Sequence, residues 1–427
     1  PDGGLYLPEA WPQVEIGATY PETVGNFLAP FLDGSPLAGA GAELARAAYS
    51  GFRHPDVVPL RHLSDGRLLL ELFWGPTLAF KDHALQLLGR LFERALAAQE
   101  RRVTVLVATS GDTGSAAIAA CRGARRMQVV VLYPKGRVSD FQRRQMTTVS
   151  DGNVKAVAVE GTFDDCQDLV KGAFADPSLA ADLTAMNSIN FARLVIQAGY
   201  YLWSAHRVPG ADFVVPTGNF GNVFSGWAAG QMGAPIGQLV IANNANRALC
   251  DWVESGTFSV GKVTPTLAPS MDIQIPSNLE RYLFELSGRN ADQVRAWQQD
   301  LRRTGRIELP AALAEKVGRA FAASWFDDHE LLSAIRLAYE TEHAFLDPHT
   351  ALAWRAGREH RRPGIDQVVM ATADPAKFAA AILEATGLEP ELPEGFAHVL
   401  TDQERLLSIP NDFRALVEVL RASGSIE

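Results

Sequence analysis

The sequence has few cysteines, no long apolar run and no targeting segment. Three of its 427 residues are cysteine, and Cys121, Cys166 and Cys250 match neither a disulfide framework nor a metal-binding motif. No apolar stretch is long enough to cross a membrane, and the first residues lack the pattern of a signal peptide. These absences predict a cytoplasmic protein with no membrane partner and no metal site.

Clustered positive charge is also scarce. The formal net charge is -10 and the isoelectric point is near 5.5, which argues against a nucleic-acid partner. With 47% hydrophobic residues, the chain is long enough for two or three domains with substantial cores. It begins at Pro1 and not at methionine, so we expect that a short amino-terminal segment is missing.

Short β-branched runs alternate with helical patterns along most of the chain. Because these runs are apolar throughout, they predict strands that are buried on both faces of a parallel sheet, and hence an α/β fold. The clearest runs are 103–108, 127–134, 154–160, 212–217, 238–244 and 367–373. We predict an N-terminal segment (1–75), a smaller α/β domain (76–205) and a larger α/β domain (206–427) with a helical lobe at about 279–346.

Two turns that follow predicted strands carry polar and glycine residues. Turn 108–117 places Ser110, Gly111 and Thr113 at a helix start, where an anion is favoured. Turn 216–226, with "GNFGN", offers several backbone amides to one phosphate. Neither turn is a Walker loop or a GxGxxG fingerprint, and each taken alone is also compatible with an ordinary helix cap.

Lys81 lies where an extended "GPT" approach turns into an apolar-periodic helix. A lysine in a first helical turn can simply extend its ammonium group into solvent. Together with two anion-binding turns, however, Lys81 favours a phosphorylated cofactor that is held by an amine.

Eight motifs together resemble one known family. In chain order they are "GPTLAFKD", "ATSGDTGSAA", "EGTFDDCQ", "NSINFAR", "GNFGN", "PSMDIQIPSNLER", "DPHTA" and "ATADPAKF". Their order and spacing are similar to those of the threonine synthase family, pyridoxal-phosphate enzymes of the tryptophan-synthase-like fold. The resemblance covers essentially the whole chain. It implies two open, mostly parallel sheets flanked by helices, with the cofactor between them and a helical insertion.

The resemblance also implies roles for individual residues. Lys81 would bind pyridoxal 5'-phosphate covalently and later move protons, because a desolvated lysine is a better nucleophile and base. Thr372 would face the pyridine nitrogen, and Gly221 would need a glycine-specific backbone conformation. The residues expected to hold the cofactor phosphate are Gly218, Asn219, Phe220, Gly221 and Asn222.

The implied substrate is O-phospho-L-homoserine, which would be converted with water to L-threonine and phosphate. Ser110, Thr113 and amides near Gly111 would bind its carboxylate. The residues expected around its phosphate are Asn187, Ser188, Asn190 and Arg193, with Arg281 and Lys377 as other candidates. Asn190 and Arg193 are three residues apart and would share a helix face. A structural salt bridge is the alternative role for Arg193, and Asp347 and His349 are expected to fix a helix start.

Some positions depart from the family pattern: Trp74 and Asp374 each replace a more usual histidine, and "NANRAL" at 244–249 replaces a more usual Asn-Asp-Ile-Leu ending. They leave open an enzyme that eliminates phosphate from another phosphorylated amino acid. A non-catalytic binding protein on the same fold is a further alternative, whereas a nicotinamide dehydrogenase lacks its fingerprint. We expect a monomer or a homodimer.

Overall fold

The computed structural model describes residues 4–422 and contains two separate, mostly parallel sheets. A six-stranded sheet has the order β1-β2-β12-β7-β8-β11, and a five-stranded sheet has the order β13-β5-β4-β3-β6. Every pairing in them is parallel except β1 with β2. Strands β9 and β10 form a small antiparallel pair. The strands are β1 Leu60–His62, β2 Leu68–Glu71, β3 Val103–Ala108, β4 Met127–Pro134, β5 Val154–Glu160, β6 Leu183–Thr184, β7 Asp212–Pro216, β8 Leu239–Asn243, β9 Thr257–Ser259, β10 Arg306–Glu308, β11 Phe321–Trp325, β12 Gln367–Ala371 and β13 Leu407–Pro410.

Helices cover both sheets and confirm the predicted α/β class. They are α1 Tyr20–Leu32, α2 Gly41–Tyr49, α3 Lys81–Ala98, α4 Asp112–Cys121, α5 Asp140–Thr147, α6 Phe163–Ala175, α7 Phe191–Ala205, α8 Gly221–Gln231, α9 Ala248–Ser255, α10 Leu279–Leu286, α11 Ala291–Thr304, α12 Ala311–Ala320, α13 Asp328–Glu342, α14 Pro348–Glu359, α15 Ala379–Thr386, α16 Ala397–Thr401 and α17 Phe413–Arg421. Short 3-10 helices lie at Ala180–Asp182, Pro269–Met271 and Pro375–Phe378. No helix within residues 4–422 is long and apolar enough to span a membrane.

The six apolar runs form strands, as predicted. Strands β3, β4 and β5 have the expected bounds. Strand β7 ends one residue earlier than predicted, β12 ends two residues earlier, and β8 is one residue shorter at each end. Val129, Val130 and Val131 are completely buried, because helices pack on both faces of the five-stranded sheet.

Sheet membership differs from the predicted domain boundaries. Strands β1 and β2, placed in the N-terminal segment, belong to the larger sheet, where β1 pairs with β2 and β2 pairs with β12. Strand β13, placed in the larger domain, is the edge of the smaller sheet. Such non-local pairings leave no local signal in the sequence. Residues 1–3 of the predicted segment and 423–427 of the predicted larger domain lie outside the described residues.

The predicted helical lobe is interrupted by two strands, β10 and β11. Strand β11 pairs in parallel with β8 and forms an edge of the larger sheet. It follows α12 directly, with no glycine or proline between them, and only Phe321 of its five residues is fully buried. An edge strand of this kind lacks the continuous apolar run that identified the central strands.

The carboxyl ends of the two sheets face the same space. The turn after β3 in the smaller sheet contacts residues next to β12 in the larger sheet, through ion pairs described below. Ligands of parallel α/β proteins bind beyond the carboxyl ends of the strands, so this space is the candidate site.

Candidate active site

Lys81 is the first residue of α3 and is buried. The preceding segment is held against the end of β12, since the Phe80 amide donates to the Thr372 carbonyl (2.9 Å) and the Asp374 amide donates to the Leu78 carbonyl (3.0 Å). The interpretation of Lys81 as a solvent-exposed first-turn lysine is therefore wrong.

Asp82 fixes the loop that leads to Lys81. Its carboxylate accepts hydrogen bonds from both the amide and the hydroxyl of Thr77, each at 2.7 Å. Burial raises the pKa of Asp82 to about 6, although these donors oppose the shift.

Asp112, in the first turn of α4, joins two lysines. Its Oδ2 lies 3.1 Å from Lys81 Nζ, and its Oδ1 lies 2.8 Å from Lys377 Nζ. Gln142 Nε2 also donates to Oδ1, at 2.8 Å. Burial alone would raise the pKa of Asp112, but the two ammonium groups hold it well below its usual range.

The ammonium of Lys81 is easier to deprotonate than an ordinary lysine. Burial lowers its pKa most, Asp112 opposes the shift, and Arg193 and Lys377 lower the pKa further. A buried lysine with a lowered pKa can act as a nucleophile towards a carbonyl and as a base.

The turn after β3 is shaped by Thr109. Its hydroxyl accepts from the amides of Gly111 and Gly114, each at 2.9 Å. Gly111 has a φ of 139°, which disfavours other residues. This corrects the expected role of Gly111, because its amide is already used and the glycine serves the turn conformation.

Ser110 and Thr113 remain suitable for an anion at this turn. Both are partly buried, and their hydroxyls have no hydrogen-bond partner within residues 4–422. The amides of Asp112 and Thr113 belong to the first turn of α4, which has no intrahelical acceptors for them. The start of α4 can therefore bind a carboxylate.

The "GNFGN" turn has its left-handed residue at Phe220, with a φ of 63° and ψ of 0°. The ring of Phe220 is fully buried, 5.6 Å from the ring of Phe321. Gly221 lacks a positive φ, so the expectation of a glycine-specific conformation there is wrong. The glycine that is sterically required is Gly218, where a Cβ atom would lie 2.8 Å from the Ser270 carbonyl oxygen.

The two asparagines of this turn differ in orientation. The carbonyl of Asn219 accepts from the amide of Asn278 (3.1 Å), and its side chain accepts from the Ser277 hydroxyl (3.1 Å). Asn222 Oδ1 accepts from the hydroxyls of Tyr200 (2.7 Å) and Tyr201 (3.0 Å). Oδ1 of Asn222 thus faces α7, and Nδ2 is buried with no hydrogen-bond partner in the described residues. The Asn222 backbone amide lies in the first turn of α8, where it can be offered to a phosphate.

The segment before α7 is joined to the "GNFGN" turn. The hydroxyls of Ser188 and Ser277 lie 3.2 Å apart, and Ser277 contacts Asn219. Asn187 accepts from the amide of Ile189 (3.2 Å). The Ser188 contact places this segment beside the turn that leads to α8, whereas the Asn187 contact is local.

Asn190 caps α7 and does not converge with Arg193 as expected. Its Oδ1 accepts from the Ala192 amide (3.0 Å), and its Nδ2 donates to the Ala185 carbonyl (3.1 Å). Both ends of the side chain are therefore occupied by the backbone. The shared helix face was the wrong inference, because Asn190 precedes the helix.

Arg193 is a buried cation without a counter-ion in the described part of the chain. Its only hydrogen bond there is from Nη1 to the Met186 carbonyl, at 3.3 Å. Burial lowers its pKa to about 10. The alternative of a structural salt bridge is wrong, and a guanidinium group in this state is suited to bind an anion. Arg281, another candidate, instead donates to Tyr6, Asn278 and Ile189.

Thr372 is held by a chain of buried polar groups. Its amide donates to the Thr350 hydroxyl (3.1 Å), which in turn donates to the Asp347 carboxylate. His349 Nδ1 lies 2.8 Å from the same carboxylate, and His349 Nε2 accepts from the Ser270 amide (3.3 Å). Asp347 also caps α14, which agrees with its expected structural role.

Asp347 thus supports two regions of the candidate site. One branch reaches Thr372, and the other reaches Ser270, which packs on Gly218. The hydroxyl of Thr372 has no hydrogen-bond partner within the described residues and can face a ligand. Sequence reasoning had no signal for these branches, since the four segments are distant in the chain.

Sequence reasoning also missed Asp112 and gave Lys377 only a secondary place. Asp112 was part of the motif "SGDTG" but was not singled out. An acidic residue between two predicted anion-binding residues was the available signal. It indicated that a cation had to lie close to this turn.

Comparisons with known proteins identify similar chains over the whole length. Residues 57–372 match the family model described as pyridoxal-phosphate dependent enzyme, and residues 350–420 match the model described as threonine synthase, C-terminal. The chain is 40% identical to a threonine synthase of Pseudomonas aeruginosa, over 99% of this chain and 94% of that protein.

Solved structures give the same result. A threonine synthase from Brucella melitensis, solved with pyridoxal phosphate bound, is 41% identical and superimposes with a TM-score of 0.93, covering 99% of this chain and 94% of that one. The yeast threonine synthase is 34% identical with a TM-score of 0.91 and the same coverage.

Proposed function

Because this chain belongs to the threonine synthase family of pyridoxal-phosphate-dependent enzymes, we propose that it converts O-phospho-L-homoserine and water into L-threonine and phosphate. Membership of this family makes it a lyase of amino-acid biosynthesis. The observation that carries the substrate proposal is the buried Arg193 guanidinium, which has no carboxylate partner within residues 4–422 and lies close enough to Lys81 to lower its pKa.

The residues present fit pyridoxal phosphate. Lys81 would bind it covalently, and amides at the start of α8, from Gly221 and Asn222, would hold its phosphate, since a helix start favours an anion. Gly218 lets the turn approach Ser270 closely, and Thr372 offers a hydroxyl to the ring nitrogen. When bound, the cofactor withdraws electrons from the substrate and makes its α-carbon and β-carbon protons acidic.

The substrate would be held at its two anionic ends. The hydroxyls of Ser110 and Thr113, with the first amides of α4, would bind the α-carboxylate, which the helix start supports. Arg193 would bind the phosphate together with Ser188 and Asn187, which lie in the segment just before α7. An ionised leaving phosphate would supply the counter-charge that Arg193 lacks.

Lys81 is the group placed to move protons. Its Nζ, once neutral, can take a proton from Cα; after it has given that proton up, it can take a second proton from Cβ and return it at Cγ once phosphate has left. The other side chains hold the substrate in place, so that a single base reaches each carbon in turn.

The cellular location and the oligomeric state of the protein are further parts of the proposal. We propose a cytoplasmic enzyme, which the unpaired cysteines Cys121, Cys166 and Cys250 support. A monomer or a homodimer stays a prediction, to be measured by light scattering.

Product analysis tests the proposed reaction. The purified protein with pyridoxal phosphate is incubated with O-phospho-L-homoserine, and threonine, phosphate, 2-oxo acid and ammonia are quantified together. We expect threonine and phosphate in equal amounts. Phosphate accompanied by a 2-oxo acid and ammonia in place of threonine would instead identify an eliminating phospholyase.

A further inference from the structure

Lys377 is a second buried ammonium group next to the catalytic lysine, and the proposed reaction does not use it. It lies in the 3-10 helix Pro375–Phe378, and its side chain is completely buried. Its Nζ lies 2.8 Å from Asp112 Oδ1 and donates to the Thr77 carbonyl at 2.7 Å. Two buried cations therefore share one carboxylate.

This arrangement has a consequence when Lys81 loses its charge. Lys81 must be neutral to react with a carbonyl and to accept a proton. A buried carboxylate that loses its cation is strongly disfavoured, so Asp112 paired with Lys81 alone would retain the proton on Lys81. With Lys377 in place, Asp112 keeps a counter-charge throughout.

We propose that Lys377 is the counter-ion that Asp112 retains when Lys81 loses its charge, and that Lys377 thereby favours the neutral form of Lys81. It is a positioning residue and acts through Asp112. The inference rests on the proposed function, because it assumes that Lys81 is the residue that binds pyridoxal phosphate.

The charged groups around Lys81 act in two opposite directions. Asp112 of α4 is the anion that contacts it, while Arg193 of α7 and Lys377 repel its proton. From its own segment, the Phe80 ring lies 4.7 Å from Nζ, and Asp82 is bound to Thr77. Removing Lys377 takes away one of the two cations that favour a neutral Lys81.

Lys377 itself faces mainly acidic groups. Besides Asp112, the carboxylates of Asp82 and Asp374 are close enough for Lys377 to lower their pKa values. Arg53 also lowers the pKa of Asp374, which burial raises. Lys377 thus contacts the Asp112 carboxylate and lies near two further carboxylates.

A role for Lys377 in binding the substrate phosphate is less consistent with the structure. Its ammonium is completely enclosed and already bound to a carboxylate and a carbonyl. Arg193, in contrast, has guanidinium nitrogens without a partner within residues 4–422. The phosphate is therefore assigned to Arg193.

The test measures how covalent attachment of pyridoxal phosphate to the cofactor-free protein depends on pH. Borohydride traps the bond, and mass spectrometry quantifies the modified Lys81 peptide. In Lys377→Met we expect the midpoint pH of attachment to rise by about one unit or more, because Asp112 then holds the proton on Lys81. Lys377→Arg keeps a cation and should stay near the wild-type midpoint.

A double variant makes the test specific. Lys377→Met combined with Asp112→Asn removes the carboxylate as well, so the midpoint should return to the wild-type value or below it. Lys135→Met removes an exposed lysine paired with Glu160 and should change nothing. If Lys377→Met does not fold, Asp112→Asn alone tests the counter-ion role. It should lower the midpoint pH at which pyridoxal phosphate attaches to Lys81.

The outcomes separate this inference from the proposed function. An unchanged midpoint in Lys377→Met, or in Asp112→Asn, overturns the counter-ion role, even if turnover is lost. Absence of any adduct on Lys81 in the wild-type protein would instead overturn the proposed function.

Discussion

The guanidinium carbon of Arg53 lies 5.1 Å from the centre of the Trp74 ring. The same guanidinium group is a cation near Asp374 and lowers the pKa of that carboxyl, which burial raises. Trp74 and Asp374 both depart from the family pattern by replacing a more usual histidine, and Arg53 connects them. Asp374 also caps the 3-10 helix that carries Lys377, by accepting from the Ala376 amide at 3.0 Å.

We predict that Arg53 protects substrate binding from the charge of Asp374. Arg53→Met should raise KM for O-phospho-L-homoserine by about tenfold or less, because Arg53 is exposed and its interaction is partly screened. Asp374→Asn keeps the cap and removes the charge, so it should restore KM in the Arg53→Met background. Steady-state kinetics of the four proteins provide the measurement. A KM that Asp374→Asn does not restore would show that Arg53 acts by another route.

Removal of Arg193 should affect the phosphorylated substrate selectively. Arg193→Met is expected to reduce turnover of O-phospho-L-homoserine by about 10² to 10³. Exchange of the α-proton of an unphosphorylated amino acid, followed by NMR, should be nearly unchanged. The free energy of unfolding of the cofactor-free protein should not fall, since Arg193 has no salt bridge to lose in the described residues. Equal loss of both reactions, with a loss of stability, would indicate a structural role.

Gly218→Ala should weaken cofactor binding. A Cβ atom at this position would lie 2.8 Å from the Ser270 carbonyl oxygen and push the turn outward. We expect the dissociation constant for pyridoxal phosphate to rise by about tenfold or more, as overpacking typically costs about 1–3 kcal/mol. Gly230→Ala, inside α8, is the matched control, because a Cβ atom added there would meet no atom within 4 Å outside the backbone of its own helix. Equal cofactor affinity in both variants would show that the close approach of Gly218 to Ser270 is not needed for cofactor binding.

His83 should make stability depend on pH. Burial among the rings of Tyr20, Phe52 and Tyr200 lowers its pKa from 6.5 to about 3. Because the folded pKa is depressed, the stabilising contribution is complete above pH 6.5 and is lost as the pH falls towards 3. Between pH 7 and pH 5 the free energy of unfolding, measured in urea, should fall by about 2 kcal/mol more in the wild-type protein than in His83→Phe. Parallel stability curves for the two proteins would contradict this assignment.

The central strands and the main turns could be predicted from the sequence because their signals are local. The run at 127–134 is apolar except for Gln128 and is buried on both faces, so pattern and structure agree. The position of Lys81 at a helix start could be predicted because the start of the helix and the "GPT" approach are contiguous in the sequence. Strand β11 could not be identified, since its place beside β8 depends on a partner that is distant in sequence.

The side-chain partners in the site were harder to predict than its elements. Asn222 lies in the expected turn, but two tyrosines of α7 bind its side chain. Asn190 was placed within a helix, whereas it is the cap of that helix. The ion pairs of Asp112 join segments that are 31 and 265 residues away in the chain, and no sequence period reports such a contact.

The most direct test of the account is the location of the covalent cofactor bond. Two buried lysines, Lys81 and Lys377, lie on opposite oxygens of Asp112, so the chain contains an internal competitor for the cofactor. The protein is loaded with pyridoxal phosphate, reduced with borohydride, digested and mapped by mass spectrometry. We predict a single reduced adduct, on Lys81. An adduct on Lys377, or on any other lysine, would contradict it.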